Sequence, residues 1–139
     1  MQTQFDCLIN SFIEDKVGLA EHFLSELLAA QLKENLTTLY AGQKFHTAGI
    51  GNNDLHLNDK ATRGDQIYWL DREHNNLPEN DFFDLMDRFV NYLNRSCYTG
   101  ITGYEFHYAL YEKGSFYKRH LDQFRNDNSR AFSMIMYLN

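Results

Sequence analysis

The spacing of apolar residues along the chain predicts three helices. The first lies near the N-terminus, the second runs from about residue 25 to 40 with Gly42 as its stop, and the third runs from about 78 to 95 with Pro78 in its first turn. The first and third have an apolar stripe with the period of a helix that packs one face against a core. The stripe residues are Phe5, Leu8, Ile9, Phe12 and Ile13 in the first helix, and Phe82, Leu85, Met86, Phe89, Val90 and Leu93 in the third.

Alternation of side chains, typical of strands, replaces the helical period after Ile101. In residues 101–111 one set of side chains shares a face with Tyr108, and the other shares a face with His107 and Tyr111. Residues 116–122 and 131–139 are predicted to be two further strands, and "IYWL" a short earlier one. Helices followed by a sheet favour an α+β fold. We expect one domain over 1–139, with 1–44 as helical support.

Residues 46–66 match neither pattern, because they are polar and rich in Gly, Asn and Asp. They are predicted to form a long loop, and loops of this length in compact domains are often functional covers. The predicted loop, 46–66, therefore lies between the helical support and most of the predicted sheet.

Composition and charge argue against several functions and locations of the protein. The chain has 139 residues and a net charge of −6, and its basic residues are dispersed, which argues against direct nucleic-acid binding. No signal peptide and no apolar run of ~20 residues is seen, so we expect a cytoplasmic protein without a membrane partner. The two cysteines, Cys7 and Cys97, are expected to be buried free thiols.

A candidate metal site lies in the triplet His120-Leu121-Asp122. Residues i and i+2 of a strand project from the same face, so the imidazole and the carboxylate can converge on one ion. This donor pair suits Fe(II) when a second histidine completes the set. One such triplet carries little weight by itself, and by itself it favours an ordinary polar turn.

The residues around the triplet favour the metal site over the polar turn. Tyr111, Gly114, Tyr117, His120 and Asp122 are followed by Arg130 and by the terminal "YLN". This order resembles the prolyl hydroxylases among the Fe(II)/2-oxoglutarate dioxygenases. Upstream, "RGDQIYW" (63–69) is similar to the hypoxia-sensing branch and its bacterial relatives, and "AGIG" (48–51) is similar to the bacterial members. The resemblance covers about residues 45–139.

The resemblance implies a fold and a set of residue roles. The fold is a double-stranded β-helix (a jelly-roll, cupin-like core), of which 45–139 would be the first part, with the helices packed on it. The metal ligands and catalytic residues would be His120 and Asp122. The roles of the other residues would be 2-oxoglutarate binding for Tyr111, Ile135 and Tyr137, and shaping of the substrate entrance for Arg63, Asp65, Tyr117 and Arg130.

Some of these roles compete with simpler ones. Core packing explains a tyrosine such as Tyr111 or Tyr137 without any ligand. An Asp65–Arg130 ion pair would hold the loop over the site. If the two side chains are ordinary surface charges, they have no such role. For His107, on the Tyr111 face, we expect a packing or supporting role.

The implied activity is hydroxylation of a C–H bond, in a prolyl residue of a protein or peptide substrate. The implied cofactor is Fe(II), with 2-oxoglutarate and O₂ as cosubstrates, ascorbate as an optional reductant, and succinate and CO₂ as coproducts. The family's third iron ligand, a histidine, and the arginine for the far carboxylate of 2-oxoglutarate are not identifiable before Asn139. A fragment, a second chain that supplies strands, or a non-catalytic interaction domain would each explain this.

Overall fold

The computed structural model describes residues 2–47, 65–114 and 131–139. It divides the chain into two compact units, Met1–Asn35 with Asp71–Glu105, and Leu36–Leu70 with Phe106–Asn139. The first unit is helical and the second contains the sheet. Helix α2, Glu26–Ala41, contributes its first part to one unit and its last part to the other.

The first unit contains helix α1, Gln2–Asp15, a short 3-10 helix, Arg72–His74, and helix α3, Leu77–Cys97. Asn76 fixes where α3 begins, because its side-chain oxygen accepts hydrogen bonds from the Glu79 amide at 3.1 Å and from the Asn35 side chain at 2.8 Å. Pro78 lies in the first turn, where no intrahelical donor is needed. The helix ends at Tyr98, whose φ is 53°.

A cluster of aromatic rings forms the core of the first unit. The ring centroid of Phe5 lies 5.5 Å from that of Phe23, 4.9 Å from that of Phe89 and 5.5 Å from that of Tyr92. Phe23 and Phe89 meet edge to face at 5.2 Å. Such pairs contribute about 0.5–1.5 kcal/mol each beyond the burial of their area. The cluster therefore joins α1, the segment after it and α3.

A charged network lies on the surface of the same unit. The Arg72 guanidinium donates to Asp84 at 3.0 Å and to Asp87 at 2.9 Å, and it lies 5.2 Å from the centroid of the Phe83 ring. The Tyr104 hydroxyl donates to Asp87, and its ring stacks on Phe83. Partial burial, and then the Asp87 hydrogen bond, raise the pKa of Tyr104 to about 12.

The described residues of the second unit form a three-stranded antiparallel sheet in the order β1-β2-β3. The strands are β1, His46–Thr47, β2, Gln66–Trp69, and β3, His107–Leu110. β1 pairs with β2 through His46↔Ile67, and β2 pairs with β3 from Gln66↔Leu110 to Trp69↔His107. Ile67 and Tyr108 are its buried apolar residues.

The three predicted helices and the α+β class are confirmed, whereas several predictions for the sheet need correction. Residues 46, 47 and 66 lie in strands, not in a loop, and residues 101–106 lie before β3 without strand structure. Residues 131–139 have no assigned strand. The strand predicted over 116–122 lies outside the described residues.

The expectation of buried thiols is wrong, since Cys7 and Cys97 are free but exposed. Cys7 is two positions from the buried Phe5, a rotation of about 200° around α1. Cys97 is the last residue of α3. Within the described parts of the chain, no helix has the length and apolarity that crossing a bilayer requires.

Candidate active site

The two faces of the small sheet differ in composition. Alternation along β2 and β3 puts Ile67, Trp69, His107 and Ala109 on one face, called here the Trp69 face. The opposite face, called the Tyr68 face, holds Gln66, Tyr68, Tyr108 and Leu110. Ring contacts agree with this division, because Trp69 meets His107 and Phe45 stacks on Tyr68.

Trp69 and His107 form the first pair of side chains on the Trp69 face. Their ring centroids lie 4.7 Å apart, at an interplanar angle of 78°. The His107 Nδ1 atom lies 3.1 Å from the carbonyl oxygen of Tyr108. These contacts agree with the packing role expected for His107.

Asp65 and Tyr111 each lie one residue beyond the last strand pair, Gln66↔Leu110. Continued alternation puts both on the Trp69 face. Asp65 is only 1% exposed, so it is not a solvated surface carboxylate, while Tyr111 is 48% exposed. The Trp69 face therefore combines a buried acid with an accessible phenol.

Ile135 and Tyr137 share one side of the segment 131–139. They are 70% and 82% exposed, whereas Met134, Met136 and Leu138 between and beside them are half-buried. The alternation that placed Ile135 and Tyr137 on one face is thus seen in the exposure of the side chains. An exposed phenol next to an exposed aliphatic side chain can bind a small molecule that has both polar and apolar parts.

The remaining predicted site residues, Arg63, Tyr117, His120, Asp122 and Arg130, lie outside the described residues. Their positions stay predictions, as does the Asp65–Arg130 pair. Within residues 2–47, 65–114 and 131–139, no group of three or more His, Cys, Asp and Glu side chains could hold a metal. The expected Fe(II) site is therefore not tested by the described residues.

The chemistry of the described donors can still be compared with 2-oxoglutarate. A dicarboxylate needs hydrogen-bond donors, and the phenols of Tyr111 and Tyr137 are donors with accessible side chains. Ile135 offers apolar surface beside Tyr137. These side chains fit the cosubstrate that the sequence resemblance implies.

Sequence reasoning missed a cluster of polar side chains beside Tyr111. The Tyr40 hydroxyl donates to Glu112 Oε1, and the Gln66 amide donates to the same oxygen at 3.3 Å. The hydrogen bond to Glu112 raises the pKa of Tyr40. Tyr40 and Glu112 are 72 positions apart, so no local pattern could have joined them.

Comparison with known proteins gives a similarity to a solved structure but no family match. No protein-family model matches the chain, and no curated protein matches it at a significant level. Among solved structures, a prolyl-4-hydroxylase of Pseudomonas putida is similar, with a TM-score of 0.76 and 26% sequence identity. The match covers 86% of this chain and 62% of that one, so the chain spans less than two thirds of that hydroxylase. The helices and the small antiparallel sheet thus form a fold similar to that of a prolyl hydroxylase.

Proposed function

We propose that the chain is the iron- and cosubstrate-binding part of a 2-oxoglutarate-dependent dioxygenase that hydroxylates a prolyl residue of a protein or peptide. The observation that supports this most strongly is the structural similarity to the Pseudomonas putida prolyl-4-hydroxylase over 86% of the chain. The sequence order from Tyr111 to Tyr137 supports it independently. We also propose that 45–139 is the first part of a jelly-roll core within one domain.

Each part of the chemistry has candidate residues. His120 and Asp122 would hold Fe(II), and a histidine would be the third ligand in the set that the resemblance implies. With 2-oxoglutarate and O₂, Fe(II) supplies the conversion of a C–H bond to C–OH, with release of succinate and CO₂. The protein's own part is to bind, orient and keep water away from the reacting groups.

The described residues would bind the cosubstrate. The Tyr111 hydroxyl would donate to a carboxylate of 2-oxoglutarate, and the Tyr137 hydroxyl would do the same. A hydrogen bond to a charged group is shorter and stronger than one between neutral groups. Ile135 would cover the apolar carbons and exclude water.

The substrate entrance would be formed by Arg63, Asp65, Tyr117 and Arg130. The near-complete burial of Asp65 supports a structural role for its carboxylate there. A buried carboxylate needs a partner, and Arg130 is the candidate in the sequence resemblance.

The test is cosubstrate turnover by the polypeptide that the complete reading frame encodes. We expect succinate formation that requires both Fe(II) and O₂, and a mass increase of one oxygen in a proline-containing target found by mass spectrometry. Asp122→Ala should abolish both. Equal succinate formation by wild type and Asp122→Ala would contradict the proposal. Absence of turnover with retained binding of a protein partner would favour the non-catalytic interaction domain.

A further inference from the structure

Three side chains meet next to Tyr111, on the Tyr68 face of the sheet. Tyr40 extends from the last turn of α2, Gln66 begins β2, and Glu112 follows β3 by two residues. One carboxylate oxygen of Glu112 accepts hydrogen bonds from both the Tyr40 hydroxyl and the Gln66 amide. All three residues lie in the second unit.

Ring contacts hold the Tyr40 phenol in place. Its ring meets Phe45 edge to face at 5.9 Å, and Phe45 stacks on Tyr68 at 6.2 Å with an interplanar angle of 25°. Tyr68 is part of β2 and pairs with the buried Tyr108 of β3. The phenol that holds Glu112 is therefore itself supported by the sheet.

Support from the neighbouring side chains matters at Tyr111 because this residue lies just beyond the end of β3. β3 ends at Leu110, and Gly114, at φ +90°, lies in the turn that follows. Tyr111 thus lies between the last strand pair and a turn. Because successive side chains of an extended segment point to opposite faces, holding Glu112 on the Tyr68 face keeps Tyr111 on the Trp69 face.

We propose that Tyr40, Gln66 and Glu112 form a clamp that positions the Tyr111 phenol for the carboxylate of 2-oxoglutarate. They are positioning residues, since they act through Tyr111 and do not touch the cosubstrate. This inference rests on the proposed function for the ligand. How Tyr40, Gln66 and Glu112 support Tyr111 does not depend on the identity of that ligand.

The test uses Tyr40→Phe, which removes one hydroxyl and keeps the ring against Phe45. Tyr98→Phe is the matched control, because Tyr98 is 88% exposed in the first unit. The first readout is fluorine NMR of a fluorotyrosine placed at position 111 in metal-free protein. We expect Tyr40→Phe to shift or broaden that resonance, and Tyr98→Phe to leave it unchanged. A resonance unaffected by Tyr40→Phe would overturn the clamp.

The second readout is steady-state turnover of 2-oxoglutarate by the complete polypeptide. Tyr40→Phe should raise the KM for 2-oxoglutarate about threefold to tenfold, the effect of one hydrogen bond, and change kcat by less than about twofold. In a Tyr111→Phe background, Tyr40→Phe should add nothing further. A full additional increase there would show that Tyr40 acts independently of Tyr111, contrary to the proposal.

Failure of the clamp and failure of the proposed function give different results. If wild type neither binds 2-oxoglutarate nor releases succinate, the proposed function is wrong, and with it the ligand assigned to Tyr111. The fluorine spectrum then still decides whether the clamp holds Tyr111. If wild type turns over 2-oxoglutarate and both readouts ignore Tyr40→Phe, the clamp alone is wrong.

Discussion

Among the described residues, the helical unit buries many more apolar side chains than the sheet unit, and each unit buries one acid, Glu79 and Asp65 respectively. Among the described residues of the helical unit, the buried apolar residues are Phe5, Phe23, Leu32, Phe82, Phe83, Leu85, Met86 and Phe89. Of the residues described in the sheet unit, the buried ones are Ile67, Tyr108 and the acid Asp65. Large side chains such as Tyr111, Ile135 and Tyr137 are well exposed in the sheet unit.

This difference separates stability from binding. Buried phenylalanine rings lower the free energy of the folded state, and they offer no donor to a ligand. Exposed phenols contribute little to folding and can be reached by a ligand. We therefore expect substitutions of buried residues in the helical unit to change the free energy of unfolding, and substitutions of accessible residues in the sheet unit to change ligand affinity.

The largest effect is expected from Phe89→Ala, which removes a ring from the centre of the aromatic cluster. The lost burial and the resulting cavity should reduce the free energy of unfolding by about 3–5 kcal/mol, as measured by urea denaturation. Leu77→Ala, at a side chain that is 76% exposed, is the control and should change it by less than about 0.5 kcal/mol. Equal decreases in the free energy of unfolding of both variants would contradict the claim that the buried cluster stabilises the unit more than the surface does.

The next largest effect is expected from Tyr111→Phe, which tests whether an accessible residue of the sheet unit contributes to ligand affinity. Loss of a hydrogen bond to a carboxylate should raise the KM for 2-oxoglutarate about tenfold to a hundredfold, measured by succinate release. Because the hydroxyl belongs to a side chain that is 48% exposed, the free energy of unfolding should change by less than about 0.5 kcal/mol. A variant that loses stability and keeps its KM would reverse the assignment.

A smaller effect is expected from Asn76→Ala at the start of α3. This substitution removes the acceptor for both the Glu79 amide and the Asn35 side chain, so it should cost about 1–2 kcal/mol in urea denaturation. Asn91→Ala, at an exposed position of the same helix, is the matched control and should be neutral or slightly stabilising. If the two variants behave alike, the cap does not fix the beginning of α3.

The smallest effect is a pH dependence in the helical unit. The pKa of Tyr104 is raised from 10.0 to about 12, so the folded state keeps a proton that the unfolded state loses between these values. Stability from this group is complete below about pH 10 and is lost as the pH rises towards 12. Since Tyr104 is 36% exposed, solvent screening limits the effect to about 1 kcal/mol.

Tyr104→Phe provides the measurement of that dependence. Denaturation of wild type and variant at several pH values from about 9 to 12 should show the wild-type advantage shrinking through this range. A difference that stays constant with pH would mean that the Tyr104 proton is not held by the folded state.

The helices could be predicted closely because a long stripe of apolar residues fixes both the type of element and its buried face. The third helix was predicted over about 78–95, and α3 is Leu77–Cys97, with Phe82, Leu85, Met86 and Phe89 buried as expected. The start was readable from Pro78, since proline suits a first turn. Here local chemistry and tertiary packing agree.

The sheet was predicted less well because pairing depends on a neighbour that the local pattern does not specify. In residues 131–139 the alternation correctly separates exposed Ile135 and Tyr137 from half-buried Met134 and Met136, yet the segment has no assigned strand. Conversely, His46 pairs with Ile67 although the polar sequence after it suggests only a loop. Alternation predicts burial better than it predicts hydrogen-bonded partners.

For the candidate site, sequence order could suggest chemical roles but not the side chains that support them. The Tyr40–Glu112 contact joins two elements that are remote in sequence, and only the fold brings them together. The Trp69–His107 contact could have been anticipated by setting "IYWL" beside residues 107–110, but the register between them is a property of the sheet.

The most direct test of the account is anaerobic titration of the complete polypeptide with Fe(II) in the presence of 2-oxoglutarate, followed by calorimetry and by visible absorption. We expect one Fe(II) per chain, 2-oxoglutarate binding that depends on the metal, and loss of metal binding in both His120→Ala and Asp122→Ala. Wild type that takes up no Fe(II), or variants that bind it as tightly as wild type, would contradict the proposed dioxygenase.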